Sequence, residues 1–270
     1  MKILTVPSSN TGRSIGDVFL ALFSASQLAR KAAPVSFLTH TNHTGVTSFF
    51  RKSLDLMIFS DSADQHARHL NATNIHWNSG PWEERFPDIS NPWRYFLMNG
   101  VAPGEISLEL PKVSPRVGSR SIVIFPERSD NHRLSDALFA DFIERAAADG
   151  FTIYTNCYLN SNYVVSPALP GTAPLAQLSL GEIVAIASDP SNIIVGTRSG
   201  LFDVLYFALP PEAARLVVLY PPEPAWIWSA ARLHNEAMRK KFPDLYLHRE
   251  NVVELEIGNF SAAVLAGHAA

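Results

Sequence analysis

Cysteine is almost absent from this chain of 270 residues. The single thiol, Cys157, cannot close an internal disulfide or build a structural zinc site, so it reads as a small buried side chain and points to a reducing compartment. No run of eighteen uncharged apolar residues occurs either, which removes any candidate membrane span. The opening Met1-Lys2-Ile3-Leu4-Thr5-Val6 has no charged leader, no long apolar core and no small-residue cleavage site, so a soluble, cytoplasmic protein is expected. Excess charge of one sign is missing too. Lys and Arg number 22 against 25 Asp and Glu, a net charge of −3. Without a basic field the chain is not expected to bind nucleic acid, while a local cationic pocket for one phosphorylated ligand stays open.

What the chain does have is apolar content, 47%, enough for one large domain or two smaller ones, and 19 prolines against 14 glycines. The prolines gather in Pro81 to Pro115, Pro167 to Pro174 and Pro210 to Pro224. Between them short β-rich runs alternate with helical patterns, which predicts an α/β fold with mostly parallel sheets. Lys2–Val6, Val35–Thr39 and Leu56–Phe59 read as strands. A helix is predicted over Ile15–Lys31, with Val18, Leu22, Ala25 and Leu28 on one side, and a polar helix over Asp61–Leu70. Asn71 to Gly100 is rich in Trp, Pro and Asn and reads as loops and short helices. After a Pro/Gly/Ser segment a second series begins. Its strands are Ser121–Phe125, Phe151–Thr155, Asn192–Val195 and Leu216–Tyr220, and its helices are Ser135–Asp149, closed by Gly150, and Gly200–Ala208. Ser179 and Glu182, ahead of Ile183, Val184 and Ile186, form a capping box. Two Rossmann-like halves, 1–112 and 116–224, fit this order. A tail, 225–270, carries a helix over Trp226–Lys241, a strand over Val252–Ile257 and a terminal helix over Ser261–Ala269, and is expected to pack back on the body. Its Trp226 and Trp228 beside Arg239, Lys240 and Lys241 also suit peripheral contact with a membrane surface.

In such sheets ligands bind beyond the carboxyl ends of strands, where helix N-termini present unpaired N–H groups. Four loops qualify. Gly196-Thr197-Arg198-Ser199-Gly200-Leu201-Phe202-Asp203 is a strand-to-helix turn with glycines for close backbone approach, a guanidinium able to fork onto phosphate and a hydroxyl able to cap, the makings of a diphosphate cradle. Asp203 suits a sugar hydroxyl, or is an ordinary first-turn acid. Between Phe125 and Arg133, Arg128 and Ser129 suit phosphate or ribose, as His132 could. Asn156, directly after its strand, suits a base edge. In the first loop, Ser9-Asn10-Thr11-Gly12-Arg13-Ser14 matches the hydroxyl-rich pattern by which flavodoxin-like electron carriers hold flavin mononucleotide. Alternatively Gly16-Asp17 opens the helix with a carboxylate placed as a general base, or merely as a partner of the helix dipole.

Taken together these segments resemble the GT-B glycosyltransferases, most closely the heptosyltransferase-like, lipopolysaccharide-type branch. The resemblance rests on the strand, Ser-rich loop and Gly-Asp of Lys2 to Ala21, on the strand ending in Phe-Pro at Ile122 to Pro126, and on Gly150-Phe-Thr-Ile-Tyr-Thr-Asn156. It rests also on the Leu-Ser-Leu-x-Glu-Ile-x-Ala helix at Leu178 to Ala185 and on the Gly-x-x-Ser-Gly-Leu-x-Asp turn at Gly196 to Asp203. It implies two Rossmann-like domains facing across a cleft, an acceptor-side domain over 1–112 and a sugar-nucleotide domain over 116–224. Asp17 falls at the place of the catalytic base, Thr11, Gly12, Arg13 and Gly16 on the acceptor-side loop, and Thr197, Arg198, Ser199, Gly200 and Leu201 on the donor loop. The implied activity is inverting, metal-independent transfer of a sugar from a nucleotide-sugar donor to a glycan or lipid-linked acceptor hydroxyl, with no cofactor. The chain has no Asp-x-Asp pair. It departs from the heptosyltransferase pattern in placing Arg198 where that pattern has an acidic residue. A non-catalytic nucleotide-binding relative of the same fold is the alternative.

Overall fold

The alternating apolar runs pair into two parallel sheets in a computed structural model, which describes residues 2–5, 15–31, 34–60, 63–75, 85, 87–97, 108–110, 112–127, 133–157, 165–221, 235–244, 247 and 249–268. The first sheet has four strands, β1 (Lys2–Thr5), β2 (Val35–His40), β3 (Asp55–Phe59) and β4 (Thr73–Asn74), in the order β3-β2-β1-β4. Its helices are α1 (Ile15–Lys31), α2 (Thr44–Thr47), α3 (Ala63–His69) and α4 (Asn91–Leu97). The predicted bounds of α1 are the observed ones: twelve successive residues from Gly16 to Gln27 are buried inside it and Pro34 follows its end.

The second sheet has six strands. These are β5 (Ser121–Phe125), β6 (Thr152–Cys157), β7 (Ala173–Ala176), β8 (Ile193–Thr197), β9 (Arg215–Tyr220) and β10 (Val252–Glu256), ordered β10-β9-β8-β5-β6-β7. Every described pairing in both sheets is parallel. Counted from β5, the order is that of a doubly wound nucleotide fold, with the reversal between β5 and β8. Those two central strands are buried along their whole length, which explains their unbroken apolar sequence. The associated helices are α5 (Ala140–Ala148), α6 (Leu180–Ala187) and α7 (Gly200–Ala208), with α8 (Asn235–Lys241) in the tail.

Local chemistry sets several boundaries. The helix expected over Ser135–Asp149 begins as a 3₁₀ turn at Asp136–Leu138 and continues as α5. Gly150, at φ +82°, ends it: its N–H reaches Ala147 and that of Phe151 reaches Ala146, the left-handed closure that glycine adopts without steric cost. Ser179 and Glu182 form the expected capping box, with the Ser179 N–H donating to Glu182 Oε2 at 2.8 Å. The terminal helix is 3₁₀, over Ala262–His268. Phe260, just before it, packs its ring on Phe139 and Phe142 of the second core at 5.6 and 5.1 Å.

The chain divides into two compact units. One comprises Met1–Pro111, Gly200–Ala208 and Trp226–Arg249; the other comprises Lys112–Ser199, Leu209–Ala225 and Glu250–Ala270. Helix α7, which follows β8 of the six-stranded sheet in sequence, therefore packs in the first unit, along α1. The tail is shared out likewise. Met238 of α8 is fully buried and Lys241 meets Asp88 at 3.3 Å in the first unit, while β10 adds to β9 in the second.

Candidate functional site

In the first unit, two helix N-termini are packed directly together. A methyl group added to Gly16, in the first turn of α1, would lie 2.5 Å from Asp203 Oδ2 and 2.6 Å from the Gly200 Cα. Those are overlaps, so only glycine lets α1 approach the start of α7 this closely. Each helix carries an acid in its first turn, Asp17 on α1 and Asp203 on α7, and both are buried, at 6% and 4% exposure. Two positive helix ends thus converge on one spot, an environment that favours negative charge. Asp203, read as a partner for a sugar hydroxyl or as an ordinary first-turn acid, lies with its carboxylate against Gly16.

The Asp17 carboxylate is held from a third helix. Tyr95 of α4 donates its hydroxyl to Asp17 Oδ1 at 3.1 Å, and Ser24 Oγ of α1 donates to the Tyr95 carbonyl. Aromatic rings lock α4 in place: Phe96 meets Phe23 of α1 at 5.2 Å and Phe207 of α7 at 4.7 Å, and Trp93 stands edge-on to Phe207 at 5.3 Å. Tyr95 is the site residue that sequence reasoning missed. It lies 78 positions from Asp17, in a Trp- and Pro-rich stretch with no periodic pattern, and no local signal pairs the two.

In the second unit, the strand order reverses where β5 and β8 lie side by side, with Phe125 opposite Gly196. Those two strand ends lie at the order reversal, the position at which doubly wound folds bind ligands. Gly196 and Thr197 are buried inside β8. The Arg198 N–H then donates to the Leu219 carbonyl at 2.8 Å, holding the main chain on β9 one residue beyond the strand, with the Arg198 side chain half-buried. Ser199 follows, also half-buried, then Gly200 and Leu201 open α7. On the β5 side, Glu127 and Arg133 pair as an antiparallel bridge and Arg133 Nη2 meets Asp136 Oδ1 at 3.0 Å. Arg128, Ser129 and His132 between them, and Thr11, Gly12 and Arg13 of the first loop, lie outside the described residues.

Asn156, expected directly after its strand, lies inside β6, which runs on to Cys157; its Oδ1 accepts the Leu178 N–H at 3.2 Å and so anchors the approach to α6. Cys157 is buried, and that burial pushes its thiol above the ordinary value despite Arg133 nearby. Among the described residues no group of three His, Cys, Asp or Glu side chains is placed to hold a metal ion, and no helix is long and apolar enough to cross a membrane.

No protein-family model matches the sequence, and no curated protein matches it. Solved structures do match in shape. The E. coli heptosyltransferase WaaC, solved with ADP, aligns over 99% of this chain and 98% of its own at a TM-score of 0.58 and 10% identity. The E. coli ADP-heptose lipopolysaccharide heptosyltransferase II aligns over 99% and 97% at 0.58 and 13% identity. The chain has the GT-B fold. The dodecameric iron-containing glycosyltransferase TibC of enterotoxigenic E. coli H10407 aligns over 93% of this chain at a TM-score of 0.59 and 13% identity, and the chain spans 63% of TibC's length. At such identities the GT-B likeness is one of backbone architecture, and the side chains have to be argued from this molecule's own geometry.

Proposed function

We propose that this GT-B protein is a nucleotide-sugar-dependent glycosyltransferase of glycan or cell-envelope polysaccharide synthesis, inverting and metal-independent. The observation that carries the reading is the junction of α1 and α7, where Gly16 abuts Gly200 and Asp203 and the Asp17 carboxylate sits beside a converging pair of positive helix ends. In this reading Asp17 takes the proton of the acceptor hydroxyl. The freed oxygen forms a bond to the anomeric carbon, the bond from that carbon to the phosphate oxygen breaks, and its electron pair leaves with the nucleoside diphosphate. Charge grows on the leaving diphosphate as this happens. Arg198, Ser199 and the N–H groups opening α7 are the groups suited to stabilise it.

The reading is supported by the doubly wound order of the six-stranded sheet and by structural neighbours solved with ADP and with ADP-D-β-D-heptose. Arg198 adds a fixed cation to the donor loop and suits an anionic donor. A thermal-shift screen with UDP-glucose, GDP-mannose, ADP-heptose and CMP-sialic acid tests donor binding, since a ligand that binds only the folded chain raises the melting temperature. One donor class is expected to raise it. Arg198→Ala is expected to weaken that donor by on the order of tenfold in calorimetry, the worth of one charge-assisted contact. A flat screen, or unaltered binding by the variant, contradicts the cradle.

A further inference from the structure

We infer that Tyr95 is the positioning residue for Asp17, its hydroxyl fixing the direction in which the proposed base presents its carboxylate. The inference rests on the reading of Asp17 as that base.

A carboxylate at the start of a helix can turn about its own side-chain bonds, and a base that turns spends little time aimed at its proton. Here the backbone beneath Asp17 is fixed from one helix and its carboxylate is held from another. From α7, Asp203 and Gly200 close on Gly16, so the backbone of the first turn of α1 cannot shift towards them. From α4, the Tyr95 hydroxyl donates to Asp17 Oδ1 at 3.1 Å. An ionised carboxylate only accepts hydrogen bonds, so the phenol is the donor.

Tyr95 is well suited to act as a fixed reference. It is 1% exposed, its carbonyl is held by Ser24, and its helix neighbours Trp93 and Phe96 are ring-packed on α1 and α7. A phenol and a carboxylate buried together would each be costly if unpaired. Tyr95→Phe removes the donor and keeps the ring, so the aromatic packing survives the test.

The experiment is a cycle on the full chain with the wild type, Tyr95→Phe, Asp17→Asn and the double variant. It measures release of nucleoside diphosphate from UDP-glucose, GDP-mannose and ADP-heptose. Tyr95→Phe is expected to lower kcat by on the order of tenfold with the donor KM changed less than about twofold, as loss of one hydrogen bond made through the base predicts. In the Asp17→Asn background it should cause no further loss. Losses that multiply in the double variant overturn the positioning role and leave Asp17 standing as the base. An Asp17→Asn enzyme as fast as the wild type overturns both. A second readout needs no substrate. In aspartate-labelled protein, the Asp17 carboxyl carbon-13 resonance, assigned by its loss in Asp17→Asn, should move in Tyr95→Phe at neutral pH. An unmoved resonance overturns the proposal.

Discussion

Helix α6 and the pair α1 and α7 hold the acids of their first turns in opposite ways. At α6 the arrangement is local and at the surface. Ser179 and Glu182 cap one another three residues apart, with Arg116 on the outer oxygen of Glu182 at 2.6 Å. At α1 and α7 it is tertiary and buried, with Gly16 pressed on Gly200, Asp203 over Gly16, and Asp17 tied to Tyr95 of a third helix. A start closed by its own side chains stabilises the fold. A start whose acids are buried and held by other elements is where we place the proposed chemistry.

That contrast can be broken from either side. Gly16→Ala attacks the buried junction and should have the larger effect, since the new methyl must displace backbone at Gly200. A cost of about 1–3 kcal/mol in urea unfolding is expected, together with loss of transfer activity. Ser179→Ala attacks the surface cap. It should cost about 1 kcal/mol, with donor binding and turnover unchanged.

The smallest effect is in the pH dependence. The Ser179 hydroxyl and N–H, with Arg116, hold the Glu182 carboxyl below its ordinary value, and Ser119 and Ser191 do the same for Asp189. A carboxyl depressed in the folded state contributes stability above its unfolded value, and the contribution is lost as pH falls through the folded one. Unfolding at pH 7 and pH 3 should therefore show the gap between wild type and Ser179→Ala narrowing at the acid end. A constant gap would mean that the cap owes nothing to the charge on Glu182.

The same division between local and long-range causes decides what was legible in the sequence. The bounds of α1 and α7 were readable because an apolar face and its end signals are written in consecutive residues. The capping box was readable for the same reason. The edge strand β7 was hidden by Pro174, which argues against a strand unless the strand lies at an edge, and which side it edges is a property of the whole sheet. Helix α4 was hidden because its seven residues are almost all buried, against α1 and α7, and so show no polar face to set a period. Of the site, Gly16, Asp17 and the donor loop stood out as chain-local patterns at strand and helix ends. The bond from Tyr95 to Asp17 and the placing of Asp203 over Gly16 depend on distant elements meeting, and no spacing encodes that.

The most direct measurement is sugar transfer or donor hydrolysis by Asp17→Asn, using the nucleotide sugar that raises the melting temperature of the wild type. Loss of the proposed base should lower kcat by roughly 10²–10⁴-fold while that donor still binds with its wild-type affinity. A variant that turns the donor over as fast as the wild type would contradict the account, because the carboxylate at the α1 and α7 junction would then take no part in the chemistry.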